Sequence, residues 1–294
     1  MKSFLATLVL GLSLTATPAL AAPLNVVASF SILGDMTREI GGDKITVTTL
    51  VGPDGDAHTF EPAPADARAL HSADVIVMNG LHLEGWMEKL VKASGTKAIR
   101  VVASTGITPR EMEEDGETLP DPHAWQDLAN GAIYVRNIEA ALSAADPEDA
   151  ATYKANAETL LARLTTLDKW TRAEIATVPA DKRKVITTHD AFGYFGAAYG
   201  VTFLAPAGLS TDAEPGAGSL SRLIDQIKEE NIKALFIENM SDPRLMDMLS
   251  RETGAKLGGE LFSDALSPAS GPASTYPAMF ENNVPKLVAA MKLN

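Results

Sequence analysis

The chain has 294 residues, 46% of them hydrophobic, with 38 acidic against 25 basic side chains, a formal net charge of −13 and no cysteine. That size supports two ordinary hydrophobic cores. The acidity argues against nucleic acid and anionic lipid as partners, and without a thiol the fold must rest on core size and not on disulfides.

Lys2 opens a short charged region, Phe4 to Leu14 is an apolar run of signal-peptide length, and Ala19-Leu20-Ala21 is a small-x-small cleavage site. Together they predict a signal peptide over 1–21, cleaved near Ala21. The apolar run is shorter than the ~20 residues of a spanning helix, and the missing cysteine removes a lipoprotein anchor. The expectation is an exported, soluble, monomeric periplasmic protein with no membrane anchor of its own.

Strands and helices then alternate. Leu24 to Ser29 reads as a buried strand, Ser31 to Ile40 as an amphipathic helix ended by Gly41-Gly42, and Ile45 to Val51 as a second strand. Ala63 to Leu70 is predicted helical, Asp74 to Asn79 a strand, Glu84 to Ala93 a helix and Ala98 to Val102 a strand. Thr105 to Pro122, rich in Gly, Pro and acid, reads as a surface loop, followed by a helix over Ala129 to Leu142. Asp146-Pro147 starts a longer helix, about Glu148 to Thr177, with Pro at its first position. Its apolar residues Tyr153, Ala157, Leu160, Leu164, Leu167 and Ile175 form one stripe, and its length exceeds the diameter of a small domain.

Beyond it the alternation resumes, with strands at Lys184 to Thr188, Val201 to Ala205, Ala234 to Ile237 and Ala255 to Gly259. Helices are expected at Ala191 to Tyr199, Ser219 to Glu230, Asp242 to Glu252 and Tyr276 to Met291. The fold class is therefore α/β: two lobes, each with a central, mostly parallel sheet, joined by one long rigid helix. The expected divisions are 22–145 for the first lobe, 146–179 for the helix and 180–294 for the second lobe. The halves share this alternation but no sequence repeat.

Three candidate ligands fall just after predicted strands, where open parallel sheets bind ligands. They are His58 in Gly52-Pro53-Asp54-Gly55-Asp56-Ala57-His58-Thr59-Phe60-Glu61-Pro62, His189 directly after Thr188, and Asp264 in Glu260-Leu261-Phe262-Ser263-Asp264-Ala265-Leu266. His123, in Asp121-Pro122-His123-Ala124-Trp125, follows the irregular loop, so no strand end places it. Taken singly, a loop histidine is more often a surface or hydrogen-bonding residue, and an aspartate after a strand is commonly a helix cap. His71, in the last turn of a predicted helix, and His82, in the Gly80 to Gly85 turn, read that way.

These four motifs, with Thr188-His189-Asp190-Ala191-Phe192-Gly193-Tyr194-Phe195 around the third ligand, resemble the zinc/manganese class of ABC-transporter solute-binding proteins, the cluster A-I type. The resemblance covers nearly the whole mature chain in order, including the long helix. It implies a metal buried between the lobes, His58, His123, His189 and Asp264 as its ligands, and delivery of the ion to a membrane permease for uptake.

Three imidazoles and one carboxylate suit Zn²⁺, with Mn²⁺ second and Fe²⁺ third. Manganese prefers more oxygen, and family members devoted to it usually carry Glu at the position of His189. Asp190, Glu61 and Glu238 are candidates to accept the other ring N–H of the histidines, and Trp125, Phe192 and Phe262 to exclude water. A zinc hydrolase with an open metal position is the alternative from another class, yet no HExxH or GxSxG motif is present. A surface adhesin is a third reading and has no supporting feature. The expectation is a binding protein and not an enzyme, with an affinity that falls as pH drops through the ordinary histidine range near ~6.5.

Overall fold

The computed structural model describes residues 22–114, 117–208, 211 and 216–294. The expected signal peptide, 1–21, lies outside them. Among the described residues no helix is long and apolar enough to cross a membrane.

The first half runs β1 (Leu24–Phe30), α1 (Ser31–Gly41), β2 (Ile45–Val51), α2 (Pro64–His71), β3 (Val75–Met78), α3 (Met87–Ser94) and β4 (Ile99–Val102). The hairpin β5 (Glu111–Glu114) and β6 (Glu117–Pro120), the helix α4 (Leu128–Ala145) and the long helix α5 (Ala150–Ala176) follow. The second half comprises β7 (Lys184–Ile186), α6 (Gly193–Tyr199), β8 (Thr202–Leu204), α7 (Ala217–Glu229), β9 (Ala234–Glu238), α8 (Arg244–Thr253), β10 (Lys256–Leu261) and α9 (Tyr276–Met291).

Each half holds one four-stranded parallel sheet, ordered β2-β1-β3-β4 and β10-β9-β7-β8. Numbered within its own half, each sheet has the order 2-1-3-4. The halves therefore share a topology that no sequence repeat announces. In both, the chain reverses its direction of travel across the sheet between the first and third strands, where doubly wound sheets open a crevice at their carboxyl ends.

The expected surface loop is corrected in part. Residues 111–114 and 117–120 pair antiparallel, Met112 opposite Leu119. The run of glutamates there lacks the β-branched alternation that marks a strand, and the pairing comes from chain reversal instead.

The long helix is observed over 27 residues, about 40 Å at 1.5 Å per residue. It buries Tyr153, Ala157, Leu160, Leu164, Leu167, Thr171 and Ile175, steps of three and four that keep one face inward. This face packs on α1 and α4 of the first half and on α6 and α9 of the second. One apolar cluster accordingly runs through both lobes, from Val26, Phe30 and Leu33 through Leu160 and Leu164 to Phe195, Phe236, Phe280 and Leu287. The outer face of each sheet has its own smaller cluster, under α2 and α3 in one lobe and under α7 and α8 in the other.

Candidate metal centre

Four loops converge at the carboxyl ends of the two sheets. The loop after β2 turns at Asp54, which sits at φ +55°, a left-handed conformation that aspartate tolerates better than most residues. Asp56 Oδ1 accepts the backbone N–H of His58 at 2.8 Å, and Asp56 Oδ2 accepts the Thr211 hydroxyl at 2.6 Å. Trp86 Nε1 donates to the carbonyl of Ala57 at 2.9 Å and packs edge-on against Phe60. These contacts set the direction in which His58 leaves the loop.

His123 stands between β6 and a short 3-10 turn, Ala124–Gln126. Asp121 Oδ1 lies 2.9 Å from its backbone nitrogen and 2.9 Å from its Nδ1. Asn79, at the end of β3, donates to the Pro122 carbonyl at 3.0 Å and holds the same turn against the first sheet.

His189 comes off the end of β7. Glu238, the last residue of β9, accepts the backbone N–H groups of Thr188 and His189 through Oε1 at 2.8 and 2.9 Å. Its Oε2 faces His189 Nδ1 at 2.8 Å, a charge contact without the alignment of a hydrogen bond.

Asp264 occupies the loop between β10 and α9. Its Oδ2 lies 3.1 Å from His189 Nε2, 3.2 Å from His58 Nε2 and 3.6 Å from His123 Nε2, and the His58 and His123 Nε2 atoms are 3.3 Å apart. All four donor atoms fall within 4.8 Å of one another. A tetrahedral ion with bonds of about 2.0–2.2 Å spaces its ligand atoms roughly 3.3–3.6 Å apart, so the cluster has the size of one coordination shell. Asp264 Oδ1 is buried without a hydrogen-bond partner.

His123, His189 and Asp264 are at most 1% exposed, and the His58 side chain is 6% exposed. Burial opposes charging His123, but the carboxylates of Asp264 and Asp121 outweigh it and lift the imidazole to about 9. His189 is likewise raised well above the ordinary histidine value, burial opposing, by Glu238 and Asp264. Asp264 is held well below the usual carboxylate range by the two histidines, against the effect of burial. The pocket thus gathers positive charge around a buried carboxylate, and protons are what a divalent cation would displace.

The four candidates named from the sequence are brought together, and His71 and His82 are not. His71 Nδ1 meets the Ser94 carbonyl at 3.0 Å, and His82 sits at φ +67° in its turn. Of the expected imidazole partners, Glu238 faces His189. Glu61 is exposed, and Asp190 is half-buried with its backbone N–H bonded to the Gly208 carbonyl. The partner overlooked is Asp121, although an aspartate two residues before a histidine occurs twice here, in Asp56-Ala57-His58 and Asp121-Pro122-His123. Trp125, Phe192 and Phe262 are buried, and the Trp125 ring lies edge-on to His123 with centroids 5.3 Å apart. A cavity of about 650 Å³ adjoins His189, Asp56, Thr211, Met240 and Met248, and another of about 550 Å³ adjoins His58, Phe60 and Trp86.

Residues 26–290 match the family described as zinc-uptake complex component A, periplasmic. The chain belongs to this family. It is similar to the manganese-binding lipoprotein MntA of Halalkalibacterium halodurans, 36% identical over 269 residues that cover 91% of this chain and 88% of the relative. It is also similar to the iron ABC transporter substrate-binding lipoprotein MtsA of Streptococcus pyogenes, 37% identical over 271 residues, 90% of this chain and 87% of the relative. Among solved structures, the periplasmic zinc binding protein TroA from Treponema pallidum superposes with a TM-score of 0.87 at 30% identity, covering 92% of this chain and 99% of that one. Members of the zinc-uptake family are metal-binding substrate-binding proteins of ABC transporters, not enzymes, and this sets the hydrolase alternative aside.

Proposed function

We propose that the chain captures a divalent transition-metal ion between its lobes through His58, His123, His189 and Asp264 and hands it to the membrane permease of an ABC transporter for uptake. The observation that carries this reading is the convergence of three imidazole Nε2 atoms on Asp264 Oδ2 at 3.1–3.6 Å. Carboxylates at the Nδ1 of both His123 and His189 support it, because such partners fix the ring and raise ligand basicity.

Zinc ranks first for this donor set, since imidazole and carboxylate in four-coordinate geometry suit it and the intrinsic affinity series places it above manganese and iron. Manganese ranks second, and a specific feature favours it: the unpartnered Oδ1 of Asp264 offers a second oxygen and a fifth ligand atom. The similar proteins named above are described as manganese, iron and zinc binders in turn, which accords with a site of this mixed character. The protein acts as a monomer in the periplasm after removal of residues 1–21, with lobes at 22–145 and 180–294 on either side of the helix region 146–179.

Elemental analysis of protein taken from its native compartment, followed by competition between Zn²⁺ and Mn²⁺ on the metal-free form, tests this. One ion per chain is expected, lost on replacing His189 by Ala. Absence of any bound or bindable ion would overturn the reading.

A further inference from the structure

The loop that carries Asp264 belongs to the second half by sequence, yet it is fastened to the first. The Ser263 carbonyl accepts two hydrogen bonds, from Trp125 Nε1 at 2.9 Å and from Gln126 Nε2 at 2.8 Å. Both donors are buried, at 0 and 1% exposure, and they lie two and three residues after His123. Three residues after Ser263, the N–H of Leu266 donates to Ser31 Oγ at 2.9 Å, and its carbonyl accepts from the N–H of Asp54 at 3.0 Å. Asp264 is thus bracketed on both sides by bonds to the first lobe. The bonds of Asn283 to the backbone of Phe262, which tie the chain to α9, lie just outside the bracket.

The Ser263 carbonyl and the Asp264 nitrogen share one planar peptide unit. Two donors on that carbonyl fix the plane and the position of the Asp264 Cα, and the Leu266 bonds on the far side restrict the remaining backbone rotation, which together set the direction in which the side chain departs. In the orientation held, Oδ2 faces three imidazoles and Oδ1 is buried with no partner. A modest rotation would keep one oxygen on the ion and carry the other away.

We propose that Trp125 and Gln126 are positioning residues that hold both oxygens of Asp264 toward the ion and thereby favour Mn²⁺ relative to Zn²⁺. The inference rests on the reading of Asp264 as a ligand. Zn²⁺ keeps a complete tetrahedral shell with one carboxylate oxygen and three imidazoles. Mn²⁺ lies at the weak end of the affinity series and prefers oxygen, so losing one of two oxygens costs it proportionally more.

The experiment uses the double variant Trp125→Phe with Gln126→Met, which removes both donors while keeping apolar volume close to the original. Metal-free variant, unsubstituted protein and Asp264→Ala are titrated separately with Mn²⁺ and with Zn²⁺ in competition with a chelating indicator. The double variant should lose ~10- to 100-fold in Mn²⁺ affinity, the usual effect of removing an outer partner of a ligand, and about a tenth of that in Zn²⁺ affinity. Equal losses for the two ions, or no loss, overturn the proposal. If Asp264→Ala binds both ions undiminished, the assignment of Asp264 as a ligand fails. If that variant loses binding while the double variant keeps an unchanged Mn²⁺/Zn²⁺ ratio, only the positioning role fails. Should the double variant not fold, Gln126→Met alone retains the Trp125 bond and should shift the ratio in the same direction by about threefold, half on a logarithmic scale of the ~10-fold lower bound for losing both donors. An unchanged ratio there overturns the proposal equally.

Discussion

Asp121 grips His123 with a single oxygen, Oδ1, 2.9 Å from the backbone nitrogen and 2.9 Å from Nδ1. The first contact sets the turn and the second sets the ring, so Nε2 is left pointing at Asp264. Replacing Asp121 by Ala should lower metal affinity ~10- to 100-fold. Titration calorimetry on the metal-free protein checks this, and an affinity within a factor of two of the original would remove Asp121 from the binding machinery.

The pH window follows from the same carboxylates. With no metal bound, His123 holds its proton up to about 9 and His189 is also raised well above the ordinary value. A metal ion must displace those protons, so affinity should already be falling as pH drops below about 9. From the ordinary histidine value alone the fall would be expected near ~6.5. For the metal-free fold the sign is the reverse: a raised folded-state pKa contributes stability that is fully present below ~6.5 and lost as pH rises through about 9. Metal titrations from pH 6 to 9.5 should show a continuous slope, and a plateau between pH 7 and 9 would count against protonated imidazoles in the metal-free state.

Asp35 on α1 is raised to about 6, chiefly by burial, although it accepts the Tyr276 N–H at 2.7 Å. Its stabilising contribution is therefore fully present below 3.8 and lost as pH rises through about 6. Asp35→Asn still offers an acceptor to Tyr276 and carries no charge to bury. It should stabilise the protein at pH 7.5 by up to ~3 kcal/mol, the equivalent of about two pH units, and by little at pH 4. Urea denaturation at the two pH values measures the difference, and equal effects at both would rule out burial of the charge as the cause.

Gly131 on α4 lies under the Tyr276 ring, where an added Cβ would come within 2.4 Å of the phenolic oxygen. That oxygen donates to the Trp125 carbonyl, so the ring cannot swing aside freely. Gly131→Ala should cost ~1–3 kcal/mol, the usual range for overpacking a close-fitted core. Thermal unfolding of the metal-free form gives the number, and an unchanged midpoint would mean that α9 adjusts at no cost.

Lobe closure on metal should be small, because α5 packs on both halves along one buried face. Solution scattering with and without Zn²⁺ should give radii of gyration within about 1 Å, small beside the ~20 Å expected for a chain of this length. A larger compaction would show that α5 does not hold the lobes at fixed spacing.

Much of this architecture was legible in the chain. The bounds of α9 were read as observed, and those of α1 and β2 within a residue, because each pairs a clear periodicity with a Gly, Pro or capping signal at its ends. Three site residues were placed by their strands. His123 was not, since its position depends on the β5–β6 hairpin, whose acidic residues carry no strand pattern. Nor could local pattern reveal that Ser263 is held by Trp125 and Gln126, or Leu266 by Ser31. Such bonds join side chain to backbone across 138, 137 and 235 positions and impose no periodicity on either partner. That His58 and His123 lie in the first half of the chain and His189 and Asp264 in the second therefore describes where the residues are encoded and not what holds Asp264.

The apolar cluster shared by the two lobes has a consequence for how the chain is made. The inward faces of α1, α4 and α5 are completed by Tyr276, Phe280, Val284 and Leu287, all on α9. No fragment that stops before Tyr276 contains the whole core, so a chain emerging from its N-terminus stays unfinished until that helix has been synthesised. The core shared by the two lobes therefore closes only once α9 has joined it.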